Sequence, residues 1–445
     1  MPSREAAFRF LGAGKRDSFN MTNTTTTIKH PDDINFLTEE VQECPYPSYQ
    51  LLLEEAPVWK DPVTGFYVVT RYQDLREILK NPTQFGNDWQ KQKTVDLHQD
   101  RVAKIRKIFE DKGWVPAPTL AGRDGIDHKP YRKLFEKAFR AGKIKLLDPF
   151  IEETAYRLFD EFVDDGHCDW VKQFAIPFPL IVICAQMGIP KEDIWRIKAW
   201  TDAWIQRFGM MQPEEDEMWS VEMEIEAQHY FQSVFERLRK QPDDTVLSDL
   251  INTVIPEWDR TLNDNELHGL MMADTFVGGS ETTTNAIAAG VMLLIQNPES
   301  WQRVKTDPDK YLRTFIEEVL RLEAPVQGLY RIARTDIELH GVTIPEGAVL
   351  NIRFAAANRD KQRFGCPDQL DLDRKNAASH LTFGSGIHHC LGAPLARREL
   401  YWSFKALIDR INEMWFAEGK NDFKHHPNFA LRALKELHIE FNKKR

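Results

Sequence analysis

The chain has 445 residues, 42% of them hydrophobic and 28% charged, with a formal net charge of −10. This balance suits a globular protein with a sizeable core, excludes a disordered or fibrous chain, and argues against a general nucleic-acid binder, which needs a basic footprint. The five cysteines, Cys44, Cys168, Cys184, Cys366 and Cys390, never form a C-x-x-C pair. That usage fits a reducing cytoplasm better than a disulfide scaffold or a zinc ribbon.

Residues 1–35, Thr-rich around MTNTTTT (21–27), are expected to form a flexible tail ahead of one domain over 36–445. A short helix is predicted over 46–56, a hairpin over 58–70 and a helix over 72–82 that ends at a proline. Residues 88–127 are charged and punctuated by Gly and Pro, as lids and binding loops are, with a helix expected at 101–112. Helical periodicity then dominates, with helices at 128–140, 147–164, 191–207, 216–240, 264–296 and 309–322. The longest apolar run, FPLIVICAQMGIP (178–190), is too short to cross a bilayer. Residues 331–354 alternate in the manner of short strands, and a long helix is expected at 391–415. No Gly/Ser linker divides the chain, so the fold class is mainly α with a minor β region, in one large domain.

The segment DNELHGLMMADTFVGGSETTTNAIAAGVMLLIQ (264–296) violates helix preferences. As one helix it would span roughly 50 Å. It holds Gly278 and Gly279 side by side, then Thr282, Thr283 and Thr284. Mid-helix glycine costs about 1 kcal/mol relative to alanine, and threonine competes for backbone hydrogen bonds. Thr275, Gly278 or Gly279, Thr282 and Ala286 fall three or four apart, forming a small, flat face. Such a face accepts either a close-packed helix or a broad planar cofactor. Glu281 puts a carboxylate in this apolar helix, where it requires a partner.

FIEEVLRLEAP (315–325) places Glu318 and Arg321 one turn apart, and Arg374 supplies a second guanidinium for a carboxylate clamp. Cys390, in HLTFGSGIHHCLGAP (380–394), stands after Gly384 and Gly386 and before a helix with Pro394 in its first turn. A helix N-terminus favours a thiolate. Zinc fits poorly, because adjacent His388, His389 and Cys390 cannot close around one tetrahedral ion. A cysteine nucleophile with His388 or His389 as base fits, as does a single thiolate ligand to haem iron.

FGSGIHHCLG (383–392) resembles the haem-binding signature of the cytochrome P-450 superfamily, F-G-x-G-x-H-x-C-x-G, at every fixed position. GGSETT (278–283) resembles the family's oxygen-activation motif, Glu318 and Arg321 its E-x-x-R pair, and HKPYR (128–132) its H-x-x-x-R. The resemblance covers residues 40–442 and is nearest to the soluble bacterial branch. It implies the P-450 fold, a triangular prism with a long central distal helix. It also implies haem b, its iron bound through Cys390, with Gly279, Phe383 and Gly392 at the cofactor and His128, Arg132, Arg331 and His388 on the propionates. Glu318, Arg321 and Arg374 would be the clamp. Thr282 would hold dioxygen over the distal face, and Glu281 would pass protons from solvent.

The implied activity is a monooxygenase that inserts one atom of O2 into a C–H bond of a small organic substrate, by hydroxylation or O-demethylation. The acid–hydroxyl pair favours an oxygenase over a peroxide-driven relative. With no flavin or iron–sulfur region in the sequence, electrons are expected from a separate ferredoxin or flavodoxin served by an NAD(P)H-dependent reductase. The basic stretch KPYRKLFEKAFRAGKIK (129–145) would be its docking face. A cytoplasmic monomer without a membrane span is expected. The alternatives are a haem-binding sensor and a hydrolase using Cys390 as nucleophile.

Overall fold

The computed structural model describes residues 28–88, 99–139 and 141–444. Its framework is helical, and the centre is the segment predicted over 264–296. Residues Thr283–Leu294 are buried on every side, which makes this stretch a core helix rather than an amphipathic surface one. Helix Ala393–Arg410 packs across it, with Phe404 filling the space where Gly290 has no side chain.

Among the described residues, ten strands form the minor β part: β1 (Val58–Lys60), β2 (Tyr67–Val69), β3 (Phe85–Gly86), β4 (His167–Asp169), β5 (Leu329–Ala333), β6 (Ile337–Leu339), β7 (Val342–Ile344), β8 (Val349–Ile352), β9 (Ile411–Phe416) and β10 (His438–Lys443). The main sheet runs β1-β2-β8-β5-β3, and all its pairings are antiparallel except β2 with β8. A three-stranded sheet runs β4-β10-β9, and β6 pairs with β7.

The strongly patterned helices stand near their predicted places, including Tyr72–Lys80, Glu214–Lys240 and Pro308–Leu322. The helix expected over 391–415 stops at Arg410, because Ile411 turns extended and INEMWF continues as β9 against β10. Helices Pro177–Met187 and Pro298–Thr306 arise where no helix was predicted. The first is the apolar run itself, too uniformly hydrophobic to show a period; Gly188 at φ +67° ends it. Residues 1–27 of the expected tail lie outside the described residues, but Pro31 and Ile34 are buried and Trp59 Nε1 donates to Asp32, so ordered packing begins before residue 36. Among the described residues, no helix is long and apolar enough to cross a membrane.

Candidate active site

The predicted long helix is three pieces in line: an α-helix over Asp264–Gly269, a π-helix over Leu270–Glu281 and an α-helix over Thr282–Gln296. The winding widens at Leu270, the glycine pair lies inside the widened stretch, and the threonine run marks where it tightens again, a form frequent at functional sites. Wider winding also changes which residues share a face. Asp274, Gly278 and Thr282, four apart, keep accessible surface, whereas Thr275 and Ala286 are buried. Gly279, expected at the cofactor, instead meets helix Pro177–Met187: a methyl there would lie 3.1 Å from Ile183. The open glycine is Gly278.

The three threonines have separate partners. Thr282 Oγ1 donates to the Gly278 carbonyl at 3.2 Å, Thr284 Oγ1 donates to Ala175 O at 2.9 Å, and Thr283 faces the buried carboxyl of Glu399. Burial raises the Glu399 carboxyl well above its ordinary value, and neither of its oxygens closes a well-formed hydrogen bond. Glu281 is buried and has found its partners on helix Ile194–Phe208. Thr201 Oγ1 donates to it at 2.9 Å, and Lys198 Nζ lies 3.2 Å away. Lys198 also binds Asp202, whose side chain reaches the surface. Burial lowers the Lys198 ammonium, but Glu281 and Asp202 outweigh it and hold the ammonium above its ordinary value. No sequence signal pointed to Lys198.

Cys390 follows a loop of two left-handed glycines, Gly384 at φ +66° and Gly386 at φ +71°. Gly386 is doubly required, since a side chain there would strike the Leu79 carbonyl. The Cys390 amide donates to Phe383 O at 2.9 Å, which closes the loop. The residue keeps accessible surface although protein encloses it, so the thiol borders an interior space. Burial raises the thiol, while the amides of Gly392 and Ala393 and the guanidinium groups of Arg132 and Arg397 pull it back. Gly392 has an ordinary φ of −76°; its missing side chain would stand 3.8 Å from the sulfur.

The expected propionate binders converge. The His128 and His388 rings lie 4.3 Å apart, and Arg132 Nη2 donates to the His389 carbonyl at 3.0 Å. Arg132 also pairs with Glu136 at 2.7 Å. Arg331, on β5, is buried and forms no ion pair among the described residues; its guanidinium donates to Tyr330 O at 2.6 Å. Burial lowers it to about 10. His128 Nε2 is buried without a hydrogen-bond partner among the described residues. An unpaired buried guanidinium and an orphaned imidazole nitrogen are costly and call for an anionic acceptor. These residues therefore fit a ligand with carboxylates, beside a thiol at the mouth of a helix.

Asp124, which no sequence pattern singled out, lies in this cationic group. It accepts from Arg334 at 2.9 Å and from the Asn87 amide, and lies 3.2 Å from His388 Nε2. Burial opposes its charge, yet these donors hold it at about 2.

Glu318, Arg321 and Arg374 form the expected clamp. Arg321 binds Glu318 bidentately at 2.6 and 2.9 Å, and both side chains are completely buried. Arg374 Nε lies 3.0 Å from the same carboxylate, in charge contact though poorly aligned for a hydrogen bond. Spare guanidinium hydrogens go to the carbonyls of Asn358, Gln369, Gly365 and Cys366. One residue earlier, Glu317 joins both flanks of the cysteine loop. His380 Nε2 is 3.1 Å away, and Arg397 binds it bidentately at 2.6 and 2.9 Å. Its E-E-V context hid this role, because only the pair three apart matched a known pattern.

In the basic stretch, Lys133 pairs with Glu257 at 2.7 Å and Lys143 with Asp249 at 3.3 Å. Lys129, Lys137 and Lys145 are exposed and form no ion pair among the described residues. Arg140 lies outside them.

The family model described as Cytochrome P450 matches residues 194–412. The chain is 35% identical over 381 residues to cytochrome P450 CYP107DY1 of Priestia megaterium, covering 84% of this chain and 89% of that one. It is 32% identical to the vitamin D(3) 25-hydroxylase of Pseudonocardia autotrophica, covering 89% and 93%. A solved structure of P450BioI, in complex with an acyl carrier protein ligated to hexadec-9Z-enoic acid, superposes with a TM-score of 0.80 at 28% identity, covering 91% and 100%. The chain belongs to the cytochrome P450 family and is a haem-thiolate monooxygenase. Its fold is the family's.

Proposed function

We propose that the protein inserts one oxygen atom of O2 into a C–H bond of a small organic molecule, taking electrons from a separate redox protein. The observation that carries this reading is the thiol of Cys390 on its glycine-shaped loop with Arg132 at hand and, in the group around Arg132, an Arg331 guanidinium without an ion pair and a His128 nitrogen without an acceptor among the described residues; the helix face bearing Gly278 and Thr282, which keeps accessible surface, supports it. Haem b, held through Cys390, supplies the oxidising chemistry when bound. His128, Arg331, His388 and Arg132 would take its two propionates, for which charged forks and imidazole donors are suited. Asp124 sets the orientation of His388 in that group.

The chain's own part is to hold the thiolate, exclude water and move protons. The Gly392 and Ala393 amides stabilise the sulfur as an anion. Thr282 Oγ1, parked on the Gly278 carbonyl at a π-to-α junction, is a hydroxyl that can turn from that weak acceptor to a bound substrate. Glu281 is the next carboxylate along, and its bonds to Thr201 and Lys198 lead to the exposed Asp202. Protons would reach Thr282 along this line. Hydroxylation and O-demethylation share every one of these steps and differ only in the carbon presented. The exposed Lys129, Lys137 and Lys145 favour an acidic redox partner.

Thr282→Ala tests the reading. The variant keeps its bound haem, consumes NAD(P)H in the presence of a reductase system, and loses most of the product formed per NAD(P)H. Unchanged coupling would remove Thr282 from proton delivery.

A further inference from the structure

The segment between residues 113 and 123 runs against the helix of the Asp274–Gly278–Thr282 face, reaching that face at Asp274, and it is stitched down at several points. Gln228 holds Trp114 at both ends, accepting from its amide at 2.9 Å and donating to its carbonyl at 2.8 Å. The Ala117 amide donates to Asn265 O at 3.0 Å. The strap lies so close here that a methyl on Gly269 would stand 2.5 Å from the Ala117 carbonyl. Beyond it comes one 3-10 turn, Leu120–Gly122, whose own preceding residue, Thr119, provides no side-chain cap.

The first amides of such a turn have no internal partner. Here they are satisfied from another element. Asp274 Oδ2 accepts from the Leu120 amide at 2.8 Å, and the carboxyl also takes the Ala121 amide and the Thr119 hydroxyl. Asp274 is thus a cap supplied in trans by the π-helix, one step along the open face from Gly278. It keeps accessible surface while protein encloses it, so its free side borders the interior. Arg123 stacks on Tyr131 at 4.3 Å and pairs with Glu266 at 3.3 Å, so it secures the far end of the strap to other groups.

We propose that Asp274 is a positioning residue for substrate selection: by capping the turn at 119–121 it fixes the strap as a wall of the space above Thr282 and so limits the size of molecule admitted. This rests on the reading of the Gly278–Thr282 face as the reacting face. Without the carboxyl, the turn loses the acceptor for its amides and the wall yields, while the Gln228 and Asn265 attachments persist.

The test uses purified haem-loaded wild type, Asp274→Ala and Asp274→Asn, following the Soret band on mixing with imidazole and with clotrimazole. Imidazole needs no extra room; clotrimazole does. Asp274→Ala is expected to speed clotrimazole association by about tenfold, the effect of losing roughly one buried hydrogen bond, and to leave imidazole unchanged. Asp274→Asn keeps an acceptor oxygen for the Leu120 amide and falls between, which also serves should the alanine variant fail to fold. Hydrogen exchange should rise at Leu120 and Ala121 but not at Trp114. Equal changes for both azoles, or none with clotrimazole, would overturn the role of Asp274. No Soret response to imidazole in the wild type would instead overturn the site reading beneath it.

Discussion

Glu281 shows how a residue's partners decide what it can do. A buried carboxylate in an apolar helix is costly alone, and Lys198 and Thr201 remove that cost. Lys198→Met strands the charge. The expected loss is about 3 kcal/mol of stability, measured by chemical denaturation, with slower proton-dependent turnover. A variant as stable as wild type would mean that water or Thr201 alone carries Glu281. Glu317 makes the corresponding case for pH. Burial raises its carboxyl, but His380 and Arg397 outweigh burial and hold it well below the usual carboxylate range. Burial also keeps His380 below its own ordinary value, so at neutral pH the charge partner is Arg397. A depressed carboxyl contributes stability that is present above its ordinary value of 4.5 and lost as pH falls below it. The stability gap between wild type and Glu317→Gln should therefore narrow as pH drops from 7 to below 4.5. A gap independent of pH would deny the ion pair its role.

At the scale of elements, the cysteine loop and the π-helix are the two places where local preference yields to function. Gly386 combines a left-handed φ of +71° with a position where any side chain would strike the Leu79 backbone. Gly386→Ala is expected to displace the loop, so that the purified protein holds far less haem per chain while its far-ultraviolet circular dichroism stays helical. Full haem occupancy would show that the loop tolerates a shift at Leu79. The sequence exposed both places by breaking rules, through consecutive glycines and threonines in one and paired glycines before a cysteine in the other. It could not show that the first is wound as a π-helix. Consequently spacing by α-helical turns placed Thr275 and Ala286 on the open face and left Gly278 and Gly279 as alternatives, where Asp274 and Gly278 keep accessible surface.

Across the whole molecule, long periodic helices were readable because each carries its own period, and the strands of residues 329–352 were readable as short apolar runs between turns, although β5 and β8 are buried almost throughout. Elements whose burial comes from neighbours were not. Helix Pro177–Met187 is apolar throughout, and β4, β9 and β10 are short strands that gain their identity only by pairing across distant sequence. The same division holds for the site. Cys390, Glu318 and Arg321 sit in local patterns, whereas Asp124, Lys198, Glu317 and Asp274 join residues far apart in the chain. The clamp ties helix Pro308–Leu322 to the segment carrying Arg374, ahead of the cysteine loop. Glu318→Gln should cost about 3–5 kcal/mol, since it leaves two buried guanidinium groups without their counter-charge; thermal melts of the haem-loaded protein would register it. A melt close to wild type would show that the backbone carbonyls around Arg321 suffice.

The central claim is that Cys390, at the head of helix Ala393–Arg410, ligates haem iron as a thiolate. The measurement that tests it most directly is the absorption spectrum of the reduced protein with carbon monoxide, for wild type and Cys390→Ser. The account predicts a strongly red-shifted Soret band in the wild type and its loss in the variant. A band of the histidine-ligated kind in freshly prepared wild type, or the same red-shifted band in Cys390→Ser, would contradict it.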